Sequence, residues 1–206
     1  MYITWFGQSC FKIQSGEVTL ITDPVGKQNG LKTPRFSKVD IITVSRKESD
    51  LSKIKSEALI IDKPGEYEVK GIFIQGIPVN QNQGKEIAVV YWLEIENITL
   101  GHLGSLNTTP EDEELEKLEG LDILFVPVGG NAVLDVKKAS QVISQIEPRI
   151  VIPMYYKIPG VKEKLDSVEN FCKVMGVKSS EKIDRFRIQK KDLPQEEMKI
   201  IVLQNQ

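Results

Sequence analysis

The sequence predicts an α/β protein in which two packed sheets carry helices on their outer faces. Short β-branched runs punctuated by Gly, Pro and Asn fill the chain as far as His102. At Thr108 the apolar spacing changes to that of a helix. From there helix and strand alternate to the end, as expected where helices cover a sheet.

The elements follow in order. Met1–Ile13 reads as two strands broken at Gly7-Gln8-Ser9, and Glu17–Asp23 as a third that Pro24 ends by removing a ladder donor. Val25–Pro34, rich in Gly, Lys and Asn, reads as an exposed loop. Val39–Val44 is an apolar, β-branched run of the buried-strand kind. Leu51–Ser56 reads as a helical turn and Ala58–Asp62 as a strand, followed by the turn Lys63–Glu66. Tyr67–Val69, Gly71–Pro78, Ile87–Glu94 and Ile98–His102 form an antiparallel meander with breaks at Asn80–Lys85 and Glu96-Asn97.

Thr109-Pro110-Glu111-Asp112 is a helix start, with a hydroxyl cap, Pro in the first turn and acids facing the dipole. That helix ends at Gly120. Leu121–Val126 and Arg149–Met154 are buried strands flanking a helix over Leu134–Ile146, and Val161–Met175 is a further helix stopped by Gly176. Ile183–Gln189 and Glu197–Leu203 close the chain as strands. No linker or repeat interrupts the order, so a single domain over residues 1–206 is expected.

A net charge of -2 and a pI near 5.7 argue against a general grip on nucleic acid or on anionic membrane. No apolar run approaches the ~20 residues that span a bilayer, and the start lacks a signal-peptide core, which predicts a cytoplasmic protein. Cys10 and Cys172 lack metal-ligand spacing and read as reduced, buried hydrophobes. Trp5 and Trp92 read as core, and Lys190-Lys191 as a solvated turn.

Ser45-Arg46-Lys47-Glu48-Ser49-Asp50 follows the Val39–Val44 run abruptly. Polar loops at strand ends are where layered α/β proteins place their chemistry, because the sheet aims side chains that a loop cannot fix. This loop offers hydroxyls, cations and carboxylates, but no His and no Cys.

Read together, the strand-end segments ITWFGQSCFKI, PGEYEVKGIFIQGIP, ILFVPVGG and QIEPRIVIPMYY resemble the metallo-β-lactamase-fold hydrolases, in the small bacterial branch that includes the ascorbate-phosphate lactonases. The resemblance covers about the first 160 residues. It implies a four-layer αββα sandwich with a site between loops at one edge of the sheets. It also implies one or two zinc or manganese ions that generate a hydroxide nucleophile.

Carried over position by position, the family's His-x-His-x-Asp-His motif falls on Ser45, Lys47, Ser49 and Asp50. Its middle His falls at or near Gln81, its bridging Asp on Ser105, its final His on Tyr155 and its early His on Gln8. Asp23 matches the acid that supports the metal loop from behind. The lone His102 reads as a hydrogen-bonded structural residue. Lys47 would set an ammonium in the metal cradle and repel a divalent ion.

The expectation is therefore a protein of this fold without the family's metal. It would serve as a binding, regulatory or structural homologue, self-associated, paired with an active relative, or holding a small anionic ligand near Lys47. The rival expectation is a hydrolase with an atypical site built from Asp23, Asp50, His102, Ser105 and Tyr155.

Overall fold

The computed structural model describes residues 1–26, 30–31, 34–45, 49, 51–52, 54, 57–81, 84, 86–177 and 182–206. The first half builds β1 (Tyr2–Trp5), β2 (Phe11–Ser15), β3 (Val18–Thr22), β4 (Ile41–Thr43) and β5 (Leu59–Ile61). With β12 (Phe186–Arg187) they form a six-stranded sheet in the order β12-β1-β2-β3-β4-β5, in which β3, β4 and β5 run parallel. The meander supplies β6 (Gly65–Val69), β7 (Ile72–Gln81), β8 (Glu86–Ile95) and β9 (Ile98–His102). These join β10 (Ile123–Pro127), β11 (Ile150–Met154) and β13 (Lys199–Ile200) in a seven-stranded sheet, β13-β11-β10-β9-β8-β7-β6.

Alternation decides the packing. Phe11 and Ile13 of β2 are buried while Lys12 and Gln14 between them are half-exposed, so one face of the sheet turns to the core. Phe11 meets Phe125 of β10 with ring centroids 4.6 Å apart, joining the two sheets through one apolar layer. Tyr91 on β8 donates its hydroxyl to the carbonyls of Val44 and Ile61, both at 2.8 Å, and so pins the meander to the ends of β4 and β5. Burial raises the pKa of that phenol.

Three helices are described: α1 (Asp112–Glu116), α2 (Val136–Ile146) and α3 (Val168–Val174). On α2, Ala139, Val142, Ile143 and Ile146 recur at helical spacing and are buried. This helix packs on β10 and α3, while α1 packs on β7. Among the described residues no helix is long and apolar enough to cross a membrane.

The differences from the sequence reading have physical causes. The first helix is capped by Glu111 rather than Thr109, because Glu111 and Glu114 form a reciprocal capping box. The helix expected over Val161–Met175 begins only after Ser167. Upstream, Asp166 N–H donates to Gly129 O and Lys157 N–H to Asp166 O, both at 2.8 Å, which draws the backbone into a strap across the second sheet's loops. The Val25–Pro34 loop is not wholly exposed: Val25 and Leu31 are buried, and Leu31 lies where a Cβ on Gly7 would stand.

In the expected helical turn Leu51–Ser56, Ile54 instead bridges to Phe36, and residues 53, 55 and 56 lie outside the described residues. Trp92 is half-buried, edge-on to Phe73, whereas Trp5 is fully buried. Lys190 stands in a short 3₁₀ turn and reaches Asp122 at 2.8 Å, so it is more than a solvated charge.

Candidate functional site at the loop-bearing edge

The carboxyl ends of β3, β4, β9, β10 and β11, together with the β1–β2 turn and the end of β7, carry the loops singled out in the sequence. Parallel strands present such ends on one side, where α/β sheets bind ligands.

Asp23 ends β3 with a positive φ of 37°, and its buried carboxylate is held at both oxygens by Ser45. Oδ1 accepts the Ser45 backbone N–H and Oδ2 its hydroxyl, each at 2.6 Å. Gly104, at φ 58°, completes this corner: a Cβ there would stand 2.3 Å from Ser45 Oγ. Only glycine fits so close an approach in a left-handed conformation. Ser105 follows it and is buried.

His102, fully buried at the end of β9, has Nε2 2.9 Å from the carbonyl of Ser9. A carbonyl only accepts, so Nε2 carries the proton and Nδ1 the lone pair. Nδ1 has no hydrogen-bond partner among the described residues. Burial holds the pKa of this imidazole below its usual value; Asp23 and the Ser9 carbonyl pull in the opposite direction. His102 therefore stays neutral. Neither nitrogen bonds Ser105, so the two do not form a nucleophile–base pair.

The Ser9 carbonyl also accepts the Thr22 hydroxyl at 2.7 Å, which ties the β1–β2 turn to the Asp23 corner. Gln8, at φ 47° and buried, accepts at its carbonyl from Trp5 Nε1 at 2.8 Å and from Tyr155 N–H at 3.2 Å. Gln81 is buried and its Oε1 accepts Asn107 N–H at 2.9 Å. Tyr155, fully buried at φ 54°, sets its hydroxyl 3.4 Å from Glu163 Oε1. Ser49 is half-buried, and Lys47 and Asp50 lie outside the described residues.

The structure thus brings Asp23, Ser45 and the Gly104–Ser105 turn together, and links Gln8 to Tyr155 through the backbone. It adds Glu163, which no motif indicated; its only sequence signal is a carboxylate eight positions after Tyr155 within a run of lysines. Two surface clefts lie elsewhere. One, of about 440 Å³, is lined by Glu68, Phe73 and Glu94, and the other, of about 520 Å³, by Ser140, Arg149, Met175 and Met198.

The family described as Beta-lactamase superfamily domain matches residues 2–155. A UPF0173 metal-dependent hydrolase of Pyrococcus abyssi is 24% identical over 213 residues, covering 86% of this chain and 93% of its own. Its counterpart from Lysinibacillus sphaericus is 25% identical over 231 residues, covering 90% of this chain and 100% of its own. Among solved structures, a candidate Zn-dependent hydrolase of the metallo-beta-lactamase superfamily from Thermotoga maritima superimposes with a TM-score of 0.84 at 29% identity, covering 100% of this chain and 99% of that one.

These relatives overturn the expectation that no cofactor is involved, since their names point to a metal. The sequence argument excluded only the family's own ligand set at its own positions. Glu48 and Asp50, in the loop that leaves Ser45, lie outside the described residues. The described residues by themselves do not fit an ion: no group of three or more His, Cys, Asp or Glu among them could hold one. The αββα expectation agrees with the two mixed sheets and with the structural match. On the match over residues 2–155, the chain belongs to the beta-lactamase superfamily domain family.

Proposed function

We propose that the protein is a hydrolase of the metallo-β-lactamase superfamily with an atypical site at the loop-bearing edge. One observation carries this reading. Buried polar atoms without partners are rare in folded proteins, and each calls for an ion, a water or a functional role. Among the described residues, Thr43 Oγ1, His102 Nδ1 and Glu163 Oε2 are such atoms. They stand at the carboxyl ends of β4 and β9 and beyond that of β11. The hydrolase names of the relatives support the same reading. This chain's own residues shape the edge: Ser45 immobilises Asp23, and the neutral His102 fixes the Ser9 turn.

The test is a tag-free preparation incubated with zinc and manganese, assayed for metal content and for cleavage of phosphoester, phosphodiester, lactone and thioester substrates. About one equivalent of metal, with cleavage that a chelator abolishes and metal restores, is the expected result. A metal-loaded protein that cleaves none of them would favour a second reading, a binding or regulatory homologue acting on a small anion or a second copy. That reading draws on the closure of the Tyr155 and Asp23 positions by protein partners.

A further inference from the structure

β5 ends the six-stranded sheet and pairs on one side only, with β4. The parallel ladder fixes which backbone groups that pairing uses. Leu59 N–H donates to Asp40 O, and Ile61 O accepts from Val44 N–H, both at 2.9 Å. Successive residues of a strand direct their backbone groups to opposite sides, so Ile60 turns its N–H and C=O away from β4. No described residue outside the ladder bonds either group. Leu59 and Ile60 are also 46% and 45% exposed, on opposite faces of the strand. Sheet borders are ordinarily shielded by charge, and β6, at the border of the other sheet, shows exposed Glu66 and Glu68. β5 shows apolar side chains instead.

Charge selects what would cover this border. A second copy related by a two-fold axis beside Ile60 runs antiparallel to the first, and each Ile60 exchanges both backbone bonds with the other. Leu59 then stands opposite Ile61 of the second copy, Ala58 opposite Asp62, and Glu57 opposite Lys63. Glu57 and Lys63 are exposed, and neither makes an ion pair among the described residues. The two-fold axis makes this opposite-charge pair occur twice, at positions where facing side chains approach most closely. Sliding the pairing to the next allowed register sets Glu57 against Ile61 or Lys63 against Leu59, and both ion pairs are lost.

We propose that β5 is a self-association edge, at which two copies of this chain pair antiparallel about Ile60 and merge their six-stranded sheets into one. The contact is short, so the dimer is reversible rather than obligate. The proposal is independent of the hydrolase reading, and its test does not involve cleavage.

The test is sedimentation velocity on the full chain over a concentration series at low salt, with circular dichroism to establish that each variant is folded. Wild type should pass from monomer to dimer and no further, because the two-fold contact uses up both edges. Ile60→Pro removes the N–H offered across the axis and leaves the β4 ladder intact, so it should raise the dissociation constant by about ten-fold or more. Glu57→Lys and Lys63→Glu should each weaken the dimer, and the double variant should restore it. Ile87→Lys, at a side chain 67% exposed but away from β5, should change nothing. A wild type that stays monomeric throughout, or that grows beyond a dimer, overturns the proposal. So does a dimer unchanged in folded Ile60→Pro, a double variant no better than its parents, or an equal loss in Ile87→Lys.

Discussion

Ser45 satisfies both oxygens of Asp23, one through its backbone N–H and the other through its hydroxyl, each at 2.6 Å. Bidentate capture locks the end of β3 to the end of β4, and the left-handed Gly104 closes over the pair. Ser45→Ala leaves a buried carboxylate oxygen short of a donor. It should cost about 1.5–3 kcal/mol, the range for hydrogen bonds to charged groups, read as a lower midpoint in urea with an unchanged slope. An unaltered midpoint would mean that the corner tolerates water.

Gly104→Ala should be worse than an ordinary loop substitution. The new methyl would meet Ser45 Oγ at 2.3 Å and Ser45 Cβ at 2.6 Å, at a φ of 58° that disfavours side chains. Thermal denaturation should show a loss of more than about 1 kcal/mol. Adding Ser45→Gly should recover part of it by making room.

With a single His in the chain, the pH dependence of stability just below neutrality isolates one group. Burial lowers the folded-state pKa of His102 below the usual 6.5. The unfolded chain therefore binds the proton first, and stability, complete above about pH 6.5, declines as pH falls. The slope should approach about 1.4 kcal/mol per pH unit at most. By NMR the one imidazole should titrate below 6.5, and a titration centred at or above 6.5 would contradict its burial at the end of β9.

At the opposite edge of the seven-stranded sheet, Asp122 accepts from Thr99 N–H at 3.0 Å and from Lys190 Nζ at 2.8 Å, with Arg149 Nε at 3.5 Å. Asp122→Ala should destabilise by about 1–3 kcal/mol, because a half-buried backbone donor loses its acceptor. Lys190→Ala, at a side chain 54% exposed, should cost well under about 1 kcal/mol. Equal effects would show that the ion pair, not the Thr99 contact, matters.

Most of the strand order was legible because the turns are punctuated locally: Gly7-Gln8-Ser9, Asp23-Pro24 and Glu96-Asn97 all stand at strand ends, several with positive φ. The strap was not. Val161, Leu165, Val168 and Cys172 have helical spacing, yet the long-range Asp166–Gly129 hydrogen bond overrides it up to Ser167. The motif positions located the edge but not the Tyr155–Glu163 contact, which depends on that strap. The expectation of no metal failed because motif identity was taken as the whole ligand supply, against the names of the relatives.

The placement of β12 and β13 has a consequence for synthesis. Residues 186–187 flank β1, and residues 199–200 flank β11, so segments made after α3 cover a border of each sheet. Gln206 N–H then donates to Trp5 O, joining the two ends of the sequence. While the ribosome is still adding these residues, the nascent protein carries two bare, apolar strand borders able to pair with neighbouring chains. A pause in translation after α3 therefore leaves both borders open until residues 186–200 are made.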